Sequence, residues 1–133
     1  MFNIIIVSIT LILTAGVSFW AQYSLPWEIL YPVKIYFNES LLSTFTLKNI
    51  NEAKLQLKFI ENRIQEINQL KYEQISDQKL QDIIEKKIIN HTKLFKTSYW
   101  KLPSKNSQKD VLKFRFNNLI SDLQFDLDSH IIQ

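Results

Sequence analysis

A helical periodicity is clearest in residues 50–67, INEAKLQLKFIENRIQEI. Apolar side chains recur there in alternating steps of three and four residues, with charged and amide side chains between them. This pattern is typical of an amphipathic helix with a coiled-coil-like seam. We expect the helix to have Thr46 or Asn49 as its N-cap and to end near Glu73. The apolar seam consists of Ile50, Ala53, Leu57, Ile60, Ile64 and Ile67.

A shorter helix is predicted before the apolar seam. Pro26 and Pro32 both suit the first turn of a helix, because proline lacks only a donor that is unpaired there. Apolar residues then follow in steps of three and four, and the predicted helix ends near Phe45. Its apolar face consists of Leu30, Val33, Phe37 and Leu41.

A third helix is predicted after the apolar seam. Ser76 and Asp77 offer an N-cap, and Leu102 followed by Pro103 closes the helix near Lys101. One face of this helix consists of Leu80, Ile84, Ile88, His91 and Phe95.

Two interpretations of the last segment, residues 111–133, stay open. Ser107, with Asp110 three residues later, resembles a capping box that starts a fourth helix. The segment also alternates with period two at its Leu and Phe residues, and Asn117 with Asn118 could form the turn of a β-hairpin. The helix is favoured, because a lone hairpin is only marginally stable beside three helices. The helical stripe consists of Leu112, Phe116, Leu119, Leu123, Leu127 and Ile131.

Composition supports a helical domain. The 133 residues include one Gly and three Pro, which leaves little turn chemistry for a chain of short strands. Without cysteine, neither a disulfide framework nor a thiolate metal site is possible. The net charge of +3 is too small to indicate nucleic acid as a partner. We therefore predict an all-α fold, in which an N-terminal transmembrane or signal helix precedes a small antiparallel bundle of three to four helices.

The N-terminal run, residues 2–20, contains no charged residue and reads FNIIIVSITLILTAGVSFW. As a helix it would be about 28 Å long, close to the hydrocarbon thickness of a bilayer. Trp20, Tyr23 and Trp27 follow at the depth where aromatic rings prefer the headgroup zone. The run therefore predicts contact with a membrane through residues 2–20.

Two fates of this run stay open, a membrane anchor and a signal peptide cleaved at small residues such as Gly16 and Ser18. A buried helix of a soluble protein is disfavoured, because so small a chain has no core large enough to surround it. We divide the chain into residues 1–21, the signal anchor or signal peptide, and residues 22–133, a helical domain outside the cytoplasm.

Residues 24–34, SLPWEILYPVK, resemble the N-terminal motif of a bacterial extracytoplasmic family, domain of unknown function 5667. Its members read Leu-Pro-Gly-Asp, then Leu-Tyr-Pro-Val-Lys, then a helix and a longer helix. Trp27 and Glu28 stand where the family has its Gly-Asp turn. The resemblance covers residues 25–70, and it implies a location outside the cytoplasm and a helical hairpin or bundle. It carries no implication about an activity. Matching residues are Leu30, Tyr31, Pro32, Val33, Lys34, Glu52, Ala53, Leu55, Leu57, Glu61, Arg63 and Glu66.

No residue constellation points to a reaction. His91 and His130 are the only imidazoles, and Asp126 and Asp122 precede His130 on the same helical face. The chain lacks the Glu-x-x-His motif of metal-binding bundles, and a single glycine excludes a glycine-rich phosphate loop. We therefore predict no enzymatic activity, no metal or other cofactor and no small-molecule substrate, with His91 as a packing residue.

The main electrostatic feature is a basic strip. It lies between Glu85 and Asp110, a stretch in which no acidic residue occurs. One interpretation is contact with lipid headgroups, a wall polymer or an acidic partner. The other is that cations suit a helix C-terminus and that Lys86 or Lys87 pairs with Asp122 of the next helix. The basic strip consists of Lys86, Lys87, Lys93, Lys96, Tyr99, Trp100, Lys101 and Lys105.

The leading functional hypothesis is a non-catalytic structural or interaction module of the bacterial envelope. It would be membrane-anchored with its bulk outside the cytoplasm, or secreted after cleavage, and would bind another protein or itself through the apolar seam. The second hypothesis is a binder of anionic lipid or wall polymer through the basic strip. Neither hypothesis involves nucleic acid.

Overall fold

The computed structural model describes residues 2–46 and 48–131, with side chains described for 4–46 and 48–123. Within these residues all regular elements are helical, which confirms the all-α fold with an N-terminal apolar helix and a bundle. The elements are α1 (Phe2–Ala21), a π-helix (Val33–Asn38), α2 (Glu39–Phe45), α3 (Asn49–Tyr72), α4 (Gln78–Trp100) and α5 (Ser107–Ile131).

The chain forms two compact units, the N-terminal unit (Met1–Phe45) and the C-terminal unit (Thr46–Gln133). The first contains α1, the π-helix and α2, and the π-helix packs against both α1 and α2. The second contains α3, α4 and α5, with its largest interface between α3 and α4. Residues 22–45, which the sequence analysis grouped with the bundle, therefore cluster with the apolar helix.

Helix α1 is long and apolar enough to cross a membrane, by length and composition. Its apolar side chains are exposed on all sides, and 6% of the window Ile4–Ala21 is buried. The hydroxyls of Thr10 and Thr14 donate to the carbonyls four residues earlier, each at 2.8 Å. These polar groups are thus satisfied within the helix, as an apolar solvent requires.

The turn after α1 is closed by side chains. The Ser24 hydroxyl donates to the Ala21 carbonyl at 2.7 Å, and the Leu25 N–H donates to the Glu28 carboxylate at 2.7 Å. Because the Glu28 N–H also donates to the Leu25 carbonyl at 2.9 Å, Glu28 holds the turn from both sides. Pro26 lies in this turn rather than at a helix start, whereas Pro32 does precede the next helix as predicted.

The helix after Pro32 begins as a π-helix over Val33–Asn38 and continues as α2 to Phe45, the predicted end. Proline fits this start because it has no N–H to place. The predicted apolar face is not fully buried, since Phe37 and Leu41 are exposed.

The C-terminal unit is an up-down-up arrangement of α3, α4 and α5. Four residues of the apolar seam, Ala53, Leu57, Ile60 and Ile64, are buried within the chain, and the other two are half-buried. Between α4 and α5, the Phe95 and Phe116 rings are stacked with their centroids 4.7 Å apart. The apolar seam is therefore largely core, because the chain itself covers it.

The ends of α3 differ in how they are capped. At its start, Lys48 occupies the N-cap position without a side-chain cap, so the predicted Thr46 or Asn49 cap was wrong. At its end, Gln74 has φ 55°, and the Ile75 N–H donates to the Leu70 carbonyl at 2.9 Å. These bonds form a Schellman motif with a non-glycine residue in the left-handed position.

Helix α4 begins as predicted, because the Asp77 carboxylate accepts the Leu80 N–H at 3.0 Å. Helix α5 is capped by Asn106, whose side-chain oxygen accepts the Gln108 N–H at 2.9 Å. The predicted capping box at Ser107 was therefore wrong by one residue, since Ser107 is already inside the helix.

The hairpin alternative for the last segment is excluded over the described residues, because α5 continues to Ile131. Leu112 is buried and Phe116, Leu119 and Leu123 are half-buried, as the helical stripe predicts. The side chains of Leu127, Asp126 and His130 lie outside the described residues.

Candidate interaction surface on helix α4

Helix α4 has a buried face and an exposed face. The predicted stripe is buried, and Ser98 continues it toward the helix end. The opposite side carries residues that recur in steps of three and four, so they form one line along the helix. We call this line the outer face of α4, and it consists of Lys86, Ile89, Lys93, Lys96 and Trp100.

Two large apolar side chains are exposed on this outer face. Ile89 is 69% exposed and Trp100 is 74% exposed. A shallow groove of about 410 Å³ runs between them, lined by Ile89, Thr92, Lys93, Lys96, Thr97 and Trp100. Apolar groups framed by cations distinguish this surface from an ordinary solvated helix face, which would be polar throughout.

The lysines of the outer face remain available for an external anion. Among the described residues, Lys86 and Lys93 form no ion pair with a carboxylate, and Lys86 does not pair with Asp122. Lys96 lies 6.0 Å from the centroid of the Phe116 ring. That contact is a weak cation–π interaction, and it leaves the ammonium group exposed to solvent.

The residues of the basic strip do not all lie on the outer face of α4. Lys87 is half-buried and lies off the outer face, and Tyr99 is half-buried against the Phe95 ring at 5.7 Å. Lys101 and Lys105 are exposed beyond the last turn of α4. Four of the five outer-face residues were therefore predicted from the sequence, the three lysines by their charge and Trp100 by its ring. Ile89 was missed, because linear charge counting cannot select it.

Lys109 is a further residue that the sequence analysis missed. Its Nζ donates to the Leu102 carbonyl at 2.9 Å, and it lies 5.0 Å from the Tyr99 ring and 5.9 Å from the Trp100 ring. One cation thus satisfies a carbonyl just beyond the end of α4 and contacts both rings. Lys109 thus lies beside Trp100 at the edge of the outer face.

A polar cluster is buried between α3 and α4. Gln56 Oε1 lies 2.7 Å from His91 Nδ1, so the ring nitrogen donates to the amide oxygen. The Gln56 amide nitrogen in turn donates to Glu52, and the Phe59 ring lies 5.0 Å from the His91 ring. Over the part of the chain with described side chains, no group of three His, Asp or Glu residues could hold a metal ion. The cluster is a packing feature in which His91 is buried.

The Leu-Tyr-Pro-Val-Lys motif residues come together after α1. Tyr31 is buried, Lys34 Nζ donates to the Ser24 carbonyl at 3.1 Å, and the same ammonium lies 5.8 Å from the Tyr31 ring. Leu30 and Val33 are half-buried, and Pro32 is exposed. The motif therefore fastens the turn to the π-helix.

No protein-family model, curated protein or solved structure matches the chain.

Proposed function

We propose that this protein is a non-catalytic envelope module, anchored by α1, whose outer face of α4 binds anionic lipid headgroups. The observation that carries the proposal is the alignment of Ile89 and Trp100 with Lys86, Lys93 and Lys96 on one exposed line. A lysine near an anionic bilayer surface contributes about 1 kcal/mol. The exposed indole and isoleucine add apolar insertion at the headgroup boundary.

A lipid surface fits this face better than a wall polymer does. Lysines alone would suit either anion, but an exposed isoleucine gains free energy only by leaving water for an apolar phase. A tryptophan at the end of the line prefers the headgroup zone for the same reason, with its N–H still hydrated. The combination supports lipid as the ligand.

A protein partner or self-association needs a surface other than the apolar seam, because the seam is buried within the chain. The location outside the cytoplasm rests on the resemblance of the Leu-Tyr-Pro-Val-Lys motif. Membrane anchoring rests on the exposed apolar surface of α1. Alkaline extraction of membranes, followed by N-terminal sequencing of the mature protein, tests the anchor, and a soluble chain without residues 1–21 would refute it.

The lipid contact can be measured at Trp100 in the full chain. Substitutions Trp20→Phe and Trp27→Phe leave Trp100 as the single tryptophan. The protein is reconstituted into vesicles of phosphatidylcholine, with or without phosphatidylglycerol, and its fluorescence is quenched by brominated lipid. We expect quenching in the anionic vesicles that is lost at high salt, because screening weakens the attraction.

Matched charge reversals supply the control. The triple variant Lys86→Glu, Lys93→Glu and Lys96→Glu should lose the quenching. The variant Lys54→Glu, Lys58→Glu and Lys79→Glu changes the net charge equally at exposed sites elsewhere and should keep it. Equal losses in both variants would refute a specific face, and protection of Trp100 by soluble anionic wall polymer without lipid quenching would assign the face to that polymer.

A further inference from the structure

The helix over residues 33–45 has an exposed apolar side of its own. Phe37, Leu41, Leu42 and Phe45 are each between 44% and 72% exposed. Phe37, Leu41 and Phe45 follow one another in steps of four residues along one side of the helix, and Leu42 adjoins them. Thr44 lies on the same side, and its hydroxyl donates to the Ser40 carbonyl at 2.8 Å. This short helix therefore directs a mostly apolar side outward, and Ser40 is exposed at the edge of that side.

The exposed apolar side carries no charge. Lys34 and Glu39 are the only ionisable groups in residues 33–45 other than Tyr36. Lys34 is half-buried and donates to the Ser24 carbonyl, and Glu39 is 5% exposed. A partner for this side must accordingly be apolar, in contrast to the cationic outer face of α4.

The helix is also tied to α1 at a defined depth. The Asn38 side-chain amide donates to the Ser18 carbonyl at 2.7 Å. Ser18 lies three residues before the end of α1, which corresponds to about 5 Å along the helix axis. If α1 spans the hydrocarbon layer, Asn38 is held at the boundary between acyl chains and headgroups.

We propose that residues 33–45 form an interfacial helix that lies in the plane of the same membrane as α1. Phe37, Leu41, Leu42 and Phe45 insert among the upper acyl chains, and Ser40 faces the headgroups. The occupant of this apolar side is the lipid bilayer, because the hydrogen bond from Asn38 to the Ser18 carbonyl holds this helix beside the apolar surface of α1. Thirteen residues of helix span about 20 Å, which is too short to cross a bilayer but suits an interfacial position.

Neighbouring aromatic rings support the same depth. Trp20, in the last turn of α1, and Tyr23, in the turn that follows it, are each 71% exposed, and Tyr36 on the π-helix is exposed as well. Rings of this kind concentrate at membrane–water interfaces. The N-terminal unit would therefore contact lipid through two elements, and its last residue, Phe45, would still lie at the membrane surface. Insertion here needs no anionic lipid, because the apolar side is uncharged.

This inference rests on the membrane insertion of α1, so its test has to measure the lipid contact of both α1 and residues 33–45. The chain has no cysteine, which allows single-cysteine labelling with an environment-sensitive fluorophore in the full chain. The labelled variants are Val7→Cys in α1, Leu41→Cys on the apolar side and Ser40→Cys at its polar edge, in neutral phosphatidylcholine vesicles. All three native side chains are exposed, so the labels leave the core unchanged, and circular dichroism verifies the helix content.

We expect the labels at positions 7 and 41 to lose emission when a lipid-borne nitroxide is added, with the strongest loss at position 41 for a shallow nitroxide. The label at position 40 should instead lose emission with a water-soluble quencher. Lipid quenching at position 7 together with water quenching at 41 would overturn the inference and leave the anchor standing. Water quenching at position 7 would overturn both. Shielding of position 41 from both quenchers would overturn it in favour of a protein contact.

Discussion

Replacing Gln74 with glycine should stabilise the C-terminal unit. The residue has φ 55°, in the left-handed region, where its β-carbon crowds the following carbonyl at a cost of roughly 1–2 kcal/mol. Glycine removes this cost. It also loses more conformational entropy on folding, which offsets about 0.5–1 kcal/mol of the gain. We therefore expect a net gain of about 0.5–1 kcal/mol, which for a domain of this size raises Tm by about 2–6 °C.

Thermal unfolding of the full chain, followed by far-UV circular dichroism in one detergent, measures this gain. The matched control is Glu73→Gly. Glu73 adjoins Gln74 but has an ordinary φ of −79°, so glycine there should only destabilise. A β-branched residue, introduced as Gln74→Val, should lower Tm, since it tolerates the left-handed region poorly. If the two glycine variants lost stability equally, the left-handed turn at the end of α3 would be refuted.

Two further substitutions test the bundle. Leu57→Ala should cost about 2–5 kcal/mol in urea unfolding, because the side chain is 0% exposed, whereas Leu94→Ala at a 37% exposed site should cost much less. Asn106→Ala should cost about 1 kcal/mol through loss of the α5 cap, and a larger loss from Ser107→Ala would show that the cap had been assigned to the wrong residue.

The periodicity of the sequence predicted the helices well but not what covers them. Steps of three and four at Ala53, Leu57 and Ile60 identify an apolar face, and the same steps occur whether that face meets its own chain or a partner. The difference depends on α4 and α5, whose packing is a tertiary property. For α5, both helix and hairpin fitted the local pattern, and the stacking of Phe116 on Phe95 belongs to the helical alternative.

Local chemistry limited the finer predictions. Asn106 and Ser107 are adjacent and are both good N-cap residues, so sequence alone could not choose between them. Pro32 marks the start of a helix but gives no sign that its first turns are π-helical. The basic strip was defined by neighbours along the chain, whereas a surface on a helix is formed by residues three and four apart. For this reason the basic strip did not include Ile89.

The pair of Gln56 and His91 has a consequence for how α3 and α4 align. Apolar side chains such as Ile60 and Ile84 would pack acceptably after a slide of one helical turn, since one branched chain replaces another. The same slide would separate the buried amide from the imidazole and cost about 1–3 kcal/mol for each polar group left unsatisfied. The two polar side chains thus act as a register mark, which selects a single alignment of two helices whose apolar contacts alone would accept several.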